Sequence, residues 1–216
     1  MDLEIYLTRH GETEFNTQAQ LQGWADSPLT ENGRQMAHNL GEKLRQCHFQ
    51  AAFCSTLPRT QATAELILQG AKQDLPINRV ADLREYHFGE FEGKPAQILY
   101  DAIVAAKNLP DTATWLHQYR HGTYNQMAET ASRLDPSAET EAQFVGRLWR
   151  GMGNVLANSP KNGRVLVVTH GMAIVALLKS LDSSAILYKS PPNASVSRLH
   201  FNGENWHILS VAQTEF

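Results

Sequence analysis

The chain has 216 residues and a mass of 24.1 kDa, long enough to bury a substantial core and too long for a disulfide-stapled miniprotein. Its 42% hydrophobic and 19% charged residues exclude a disordered or fibrous chain. A formal charge of -3, with an isoelectric point near 6.3, exerts no global pull on polyanions, so no nucleic-acid partner is expected and any affinity for phosphate must come from locally placed groups.

In chain order, the acidic opening Met1-Asp2-Leu3-Glu4-Ile5 lacks the features of a secretory signal, and no apolar run reaches membrane-spanning length. A cytoplasmic location without a membrane partner is therefore expected. Leu3 to Thr8 alternates apolar Leu3, Ile5 and Leu7 with other residues, a strand pattern that stops at Arg9-His10-Gly11-Glu12-Thr13. Thr30 can N-cap a helix to about Gln46, with Met36, Ala37, Leu40 and Leu44 on one stripe. A second strand covers Ala51 to about Ser55. Cys47 and Cys54 lie too close together to brace a fold and lack the further Cys/His pairs of a zinc module, which fits a reducing compartment.

Pro58 suits the first turn of the next helix, whose Ala62, Leu66 and Ile67 face inward. A short strand at Ile77 to Val80 leads to a glycine-bearing stretch, Leu83 to Gly93, without helical period, which reads as a loop. Pro95 to Gln126 is a broken helix interrupted at Asn108-Leu109-Pro110-Asp111. Glu139 to Leu156 is a clearer one, with Phe144, Leu148, Met152 and Val155 on one side. The continuous apolar run from Val165 to Thr169 marks a strand covered on both faces and ends at His170-Gly171. A helix from Ala173 to Leu181 follows, then a hairpin of Ser195 to Phe201 and Trp206 to Ala212. Without repeats or linkers, the pattern predicts one three-layer α/β/α domain.

Two parallel strands that each end in a histidine should bring His10 and His170 to one pocket, because open α/β sheets gather ligands at their carboxyl ends. Arg9 beside His10 suits a phosphate monoester, since guanidinium grips phosphoryl oxygens bidentately and keeps its charge. A neutral imidazole next to it can attack phosphorus and carry the phosphoryl group covalently. Arg59, at a helix N-terminus where a cation is mildly disfavoured, is explained if an anion binds there. Departure of an alkoxide needs a proton and hydrolysis needs a base; Glu85, Glu90 and Glu92 compete for that role in the glycine-bearing loop. His38, His48, His117, His121, His200 and His207 show no metal-ligand spacing, so no metal is expected.

These residues occur in five ordered blocks: Leu7 to Thr13 with Asn16; Gln22-Gly23-Trp24 through Gly33; Ser55 to Ala64; Leu83 to Gly93; and Glu139-Thr140 with Val167 to Gly171. In them the chain resembles the histidine phosphatase superfamily, which includes phosphoglycerate mutases and many phosphomonoesterases. The resemblance implies a mostly parallel, mixed central sheet in a single domain over residues 1–216, with a helical lid insertion at about 94–137. It implies His10 as phospho-acceptor, Arg9, Arg59 and His170 as the phosphate pocket, and Glu85 as proton donor. Asn16, Gln22, Gly23 and Gly171 are implied as further substrate- or phosphate-binding positions, with no cofactor. His170 would act as a doubly protonated donor to phosphate oxygens.

Phosphoglycerate mutases of the superfamily typically carry Glu-Arg-His-Tyr-Gly in the acid loop and basic residues in the insertion. This chain has Glu85-Tyr86-His87-Phe88-Gly89, and its insertion holds only Lys94, Lys107, Arg120 and Arg133. The expectation is a metal-independent phosphomonoesterase acting on a small-molecule phosphate ester, with phosphoglycerate mutase as the alternative and a non-catalytic phospho-ligand sensor as a third. Tyr100, Trp115, Tyr119, Tyr124 and Met127 either line an apolar lid or pack the helices that carry them; helical spacing favours packing.

Overall fold

A computed structural model describes residues 1–121, 125–184 and 190–216. Six strands, β1 (Asp2–Arg9), β2 (Phe49–Cys54), β3 (Ile77–Arg79), β4 (Asn162–Thr169), β5 (Val196–Phe201) and β6 (Trp206–Gln213), form one sheet in the order β3-β2-β4-β1-β5-β6. Strand β4 runs parallel to both β1 and β2, and β2 parallel to β3; β5 and β6 are antiparallel. The sheet is therefore mixed, with its parallel strands grouped around β4. The apolar run of β4 explains its central place: Val165, Leu166, Val167 and Val168 are all fully buried, as a strand covered on both faces requires.

Eight α-helices occur among the described residues: α1 (Glu14–Thr17), α2 (Glu31–Lys43), α3 (Pro58–Ala71), α4 (Ala96–Ala106), α5 (Thr112–His121), α6 (Asn125–Leu134), α7 (Glu141–Ala157) and α8 (Gly171–Leu181). Strand alternation divides the core into two. Tyr6, Ala52, Cys54, Leu166 and Val168 pack with Ala37, Leu40 and Leu44 of the α2 region and Ala64, Ile67 and Leu68 of α3. Leu3, Ile5, Leu7, Phe53, Val165 and Val167 turn to the opposite layer, formed mainly by helices α4 to α8. Each fully buried aliphatic side chain contributes about 1.5–3 kcal/mol, so the two interfaces hold the three layers together.

Helix starts follow their caps. The Thr30 hydroxyl accepts the Gly33 N–H, and Thr140 closes a capping box with Gln143. Differences from the sequence pattern lie at short or alanine-rich elements. Helix α8 begins at Gly171, two residues early, with His170 as its N-cap. Helix α1 has only 4 residues, and α6, which buries Met127, Ala128 and Ala131, extends beyond the broken helix read as far as Gln126. Trp115 and Met127 are buried in the core, so packing explains them rather than contact with a substrate; Tyr100 is half-buried against the same cluster. The side chains of Tyr119, Arg120, His121 and Tyr124 lie outside the described residues.

Candidate active site

Three adjacent parallel strands deliver the site. β1 and β4 end in register, Arg9 opposite Thr169, so His10 and His170 leave neighbouring strands side by side; the His10 N–H donates to the Thr169 carbonyl at 3.0 Å. Their rings stand edge to face with centroids 5.4 Å apart. β2 ends beside β4 and supplies Ser55, whose N–H donates to the Val168 carbonyl. The meeting of the two strand-end histidines is thus built by the sheet itself.

His10 has the tautomer and charge that a nucleophilic imidazole needs. Its Nδ1 lies 2.8 Å from the Gly11 carbonyl oxygen, which can only accept, so the proton sits on Nδ1 and the Nε2 lone pair is free. Burial, then the charges of Arg59 and Arg9, hold the imidazole well below its ordinary pKa and therefore neutral. His170 is fully buried and displaced in the same direction by burial, Arg59, His10 and Arg9. Its lowered pKa makes it neutral at pH 7 without an anion beside it, and a bound phosphate dianion would favour the doubly protonated form. Its Nε2 meets Ser55 Oγ at 2.8 Å, while Nδ1 is buried without a hydrogen-bond partner.

The guanidiniums are anchored at their tips and bare at their necks. Arg9 donates from Nη1 to the Pro191 carbonyl at 2.6 Å. Arg59 donates to Asp26 Oδ1 at 2.6 Å and to the carbonyls of Ala25, Gln22 and Gly23 at 2.9, 3.3 and 2.7 Å. The Nε atoms of both arginines are buried with no partner. Buried polar atoms are almost always satisfied, so three such nitrogens on Arg9, Arg59 and His170, charge-coupled to one another around His10, are donors that an anion could use. The helix-dipole rationale for Arg59 does not hold in the free molecule, because Asp26 and three carbonyls already compensate its charge.

Glu85 is the acidic residue of the loop that reaches the site. It is buried, and its carboxylate accepts the N–H groups of Tyr86, Met172 and Ala173 at 3.0, 2.8 and 2.9 Å, tying the loop to the start of α8. Burial pushes its pKa up, against the pull of those amides and of Arg59 and Arg9. Glu90 is exposed, and the Glu92 carboxylate is committed to the N–H groups of Gly23, Trp24, Ala25 and Phe88. A buried carboxyl of raised pKa beside a neutral imidazole and two fixed cations can protonate a leaving oxygen while phosphorus is transferred.

Comparison with known proteins decides the family. Residues 5–214 match the histidine phosphatase superfamily (branch 1). The chain belongs to that family. It is 30% identical over 207 residues to a probable phosphoglycerate mutase GpmB of Salmonella choleraesuis (strain SC-B67), covering 94% of this chain and 87% of that protein. A crystal structure of phosphoglycerate mutase from Bacillus anthracis superposes with a TM-score of 0.93 at 32% identity, covering 99% of this chain and 94% of that one. A putative alpha-ribazole-5'-P phosphatase from Escherichia coli superposes at 0.75 with 23% identity, covering 99% and 98%, a likeness of fold. The family comprises enzymes of phosphatase or mutase activity.

Among the further residues expected to bind substrate in this superfamily member, several support the site indirectly. Asn16 Oδ1 accepts the Thr13 N–H and the Asn193 amide, which also donates to the His10 carbonyl at 3.1 Å. Gln22 spends its side chain on Thr13 and Ser27, and the Gly23 N–H goes to Glu92; both reach the pocket only through the carbonyls that hold Arg59. Both therefore brace the arginine that faces His10. Gly171 leaves room for Arg9: a Cβ there would stand 3.3 Å from Arg9 Nε and 2.7 Å from the Ser190 side chain. Sequence reasoning missed Asn193, Ser55 as the partner of His170, and Arg147, which donates to the Glu85 carbonyl at 3.0 Å. Only Ser55 and Glu139, the ion-pair partner of Arg147, fell within quoted motif blocks.

Proposed function

We propose that the protein is a metal-independent phosphomonoesterase that hydrolyses small phosphate esters through a phosphorylated His10. The reading rests on one observation: a buried, neutral imidazole with a free Nε2 lone pair, surrounded by unpartnered nitrogens of Arg9, Arg59 and His170. In the first step Nε2 attacks phosphorus, the P–O ester bond breaks, and the Glu85 proton passes to the departing alkoxide. In the second, water attacks phosphorus, the P–N bond breaks, and Glu85 takes the proton of the water, restoring both groups. Arg9, Arg59 and His170 hold the equatorial oxygens, and two fixed guanidiniums supply the positive charge that other phosphoryl transferases draw from metal ions. In this reading residues 1–216 act as one domain, and the described residues of the insertion are tied to the acid loop, the Ala128 carbonyl taking the Tyr86 hydroxyl at 3.3 Å. The free thiols Cys47 and Cys54 fit a cytoplasmic setting, and no helix among the described residues is long and apolar enough to cross a membrane.

The mutase reading is favoured by the TM-score of 0.93 to the Bacillus anthracis enzyme. Against it, Tyr86 fills the acid-loop position where mutases carry arginine and is fully buried against Phe88 and Phe144. Lys94 lies over the Phe91 ring, Lys107 over the Trp115 ring, and Arg133 lies on the surface near Glu129, so these three cations stand at separate places rather than as a tight basic pair for a substrate carboxylate. Turnover of an aryl phosphate with chelator present is expected for the wild type and lost by a factor of about 10⁴ or more in His10→Ala. Comparable rates for the two, or rapid-quench labelling that finds phosphorus on another side chain, would remove the proposal. A coupled assay for interconversion of 2- and 3-phosphoglycerate decides the mutase alternative.

A further inference from the structure

The acid loop from residue 84 to 88 has no helix or strand of its own, yet it must hold the Glu85 carboxyl to a fraction of an ångström. Side chains hold much of its backbone. Arg147 of α7 is buried and donates at 3.0 Å to each of three carbonyls, those of Asp82, Arg84 and Glu85. It also grips Glu139 with both arms of its fork: Nε to Oε1 at 2.7 Å and Nη2 to Oε2 at 2.6 Å. The same Oε2 accepts the His87 N–H at 3.0 Å. Trp24 adds an indole N–H to the Glu85 carbonyl at 3.0 Å. The peptide groups on both sides of Glu85 are thus fixed from the α7 side, while its carboxylate is fixed from the α8 side.

A buried guanidinium is costly to desolvate, and an apolar residue of similar size can equal its contribution to stability. Arg147 spends five hydrogen bonds on the loop and on the carboxylate that completes the loop's contacts, so its chemistry is directed at one segment. We propose that the Arg147–Glu139 pair is a positioning device for proton delivery: it holds the Glu85 carboxyl at the leaving oxygen and acts on catalysis through that proton alone. The inference rests on the reading of Glu85 as proton donor. It has a consequence a general structural role lacks. Esters whose leaving group needs a proton should suffer when the pair is broken, and esters whose leaving group departs as a stable anion should not.

The experiment compares kcat/KM for an alkyl phosphate and for 2,4-dinitrophenyl phosphate in the wild type, Arg147→Lys, Arg147→Met, Glu139→Gln and, as reference, Glu85→Gln. kcat/KM is the right quantity because it reports steps up to phosphorylation of His10. For the Arg147 variants the alkyl ester is expected to lose on the order of 10- to 100-fold while the dinitrophenyl ester loses less than about threefold. Glu139→Gln keeps the shape of the pair and an acceptor for His87, so it should fall between these variants and the wild type, and it carries the test if the Arg147 variants do not fold. Equal losses on both esters, or none on either, would overturn the inference. If Glu85→Gln itself affects both esters equally, the donor role has failed and the clamp's purpose with it; if Glu85→Gln discriminates and the clamp variants do not, only the clamp has failed.

Discussion

At the scale of single residues, the proton on Glu85 sets the pH behaviour. Its pKa is raised chiefly by burial, so the neutral form outlasts the ordinary carboxyl range. Donation to an alkoxide needs that form, so kcat/KM for an alkyl phosphate should fall as pH climbs through the raised pKa, and Glu85→Gln should flatten the limb. Linkage agrees in sign: a carboxyl raised by folding stabilises the fold below its unfolded pKa and loses that contribution as pH rises through its folded pKa. A wild-type profile level into strongly alkaline pH would contradict the donor role. Arg9, His10, Arg59, Glu85 and His170 were legible because each stands in a short string at a strand end, a helix start or a glycine-bearing loop. The Arg147–Glu139 pair was not, because its work is done on backbone carbonyls 62 to 65 residues away, where residue identity leaves no trace. Gln22 and Gly23 were legible as a motif, but their carbonyl contacts to Arg59 were not, since a backbone carbonyl leaves no mark on residue identity.

At the scale of elements, α3 is held in place by glycine. Gly41 of α2 faces the backbone of α3: a Cβ there would overlap the Ile67 carbonyl oxygen and stand 2.9 Å from the Ala71 nitrogen. Gly70 of α3 returns the contact against the His38 carbonyl. The obstacles are backbone, so α2 and α3 must part to admit a methyl group. Gly41→Ala is expected to cost on the order of 1–3 kcal/mol, a fall of several degrees in Tm by calorimetry, despite the better helix propensity of alanine. An unchanged or raised Tm would show that the helices can slide apart freely. Because Arg59 sits in the first turn of α3, the same variant should also weaken phosphate binding. The continuous apolar run of β4 and the periodicity of α7 were legible to within three residues of their ends, whereas α6 (Asn125–Leu134) lies almost wholly beyond the broken helix read as far as Gln126.

At the scale of the molecule, a chain of net charge -3 gathers two guanidiniums and two imidazoles at one end of its sheet. The like charges repel, and folding leaves both histidines neutral at pH 7. Their folded pKa values lie below 6.5, so they contribute stability that is complete above that value and lost as pH falls toward the folded pKa. An anion in the pocket reverses the balance by supplying the charge that Arg9, Arg59 and His170 lack. Inorganic phosphate should therefore raise Tm, by an amount equivalent to about 2.7 kcal/mol at a hundred times its dissociation constant. Between pH 7.5 and 5.5 the free protein should lose stability and the phosphate-bound protein should lose less, because bound phosphate favours the protonated imidazoles. Arg59→Met should abolish the phosphate-induced shift and, because the Arg59 charge helps to hold His10 and His170 neutral, should also lessen the acid destabilisation of the free protein. If phosphate leaves Tm unmoved at both pH values, the unpartnered nitrogens around His10 do not form an anion site, and the chemistry assigned to this end of the sheet has no substrate to act on.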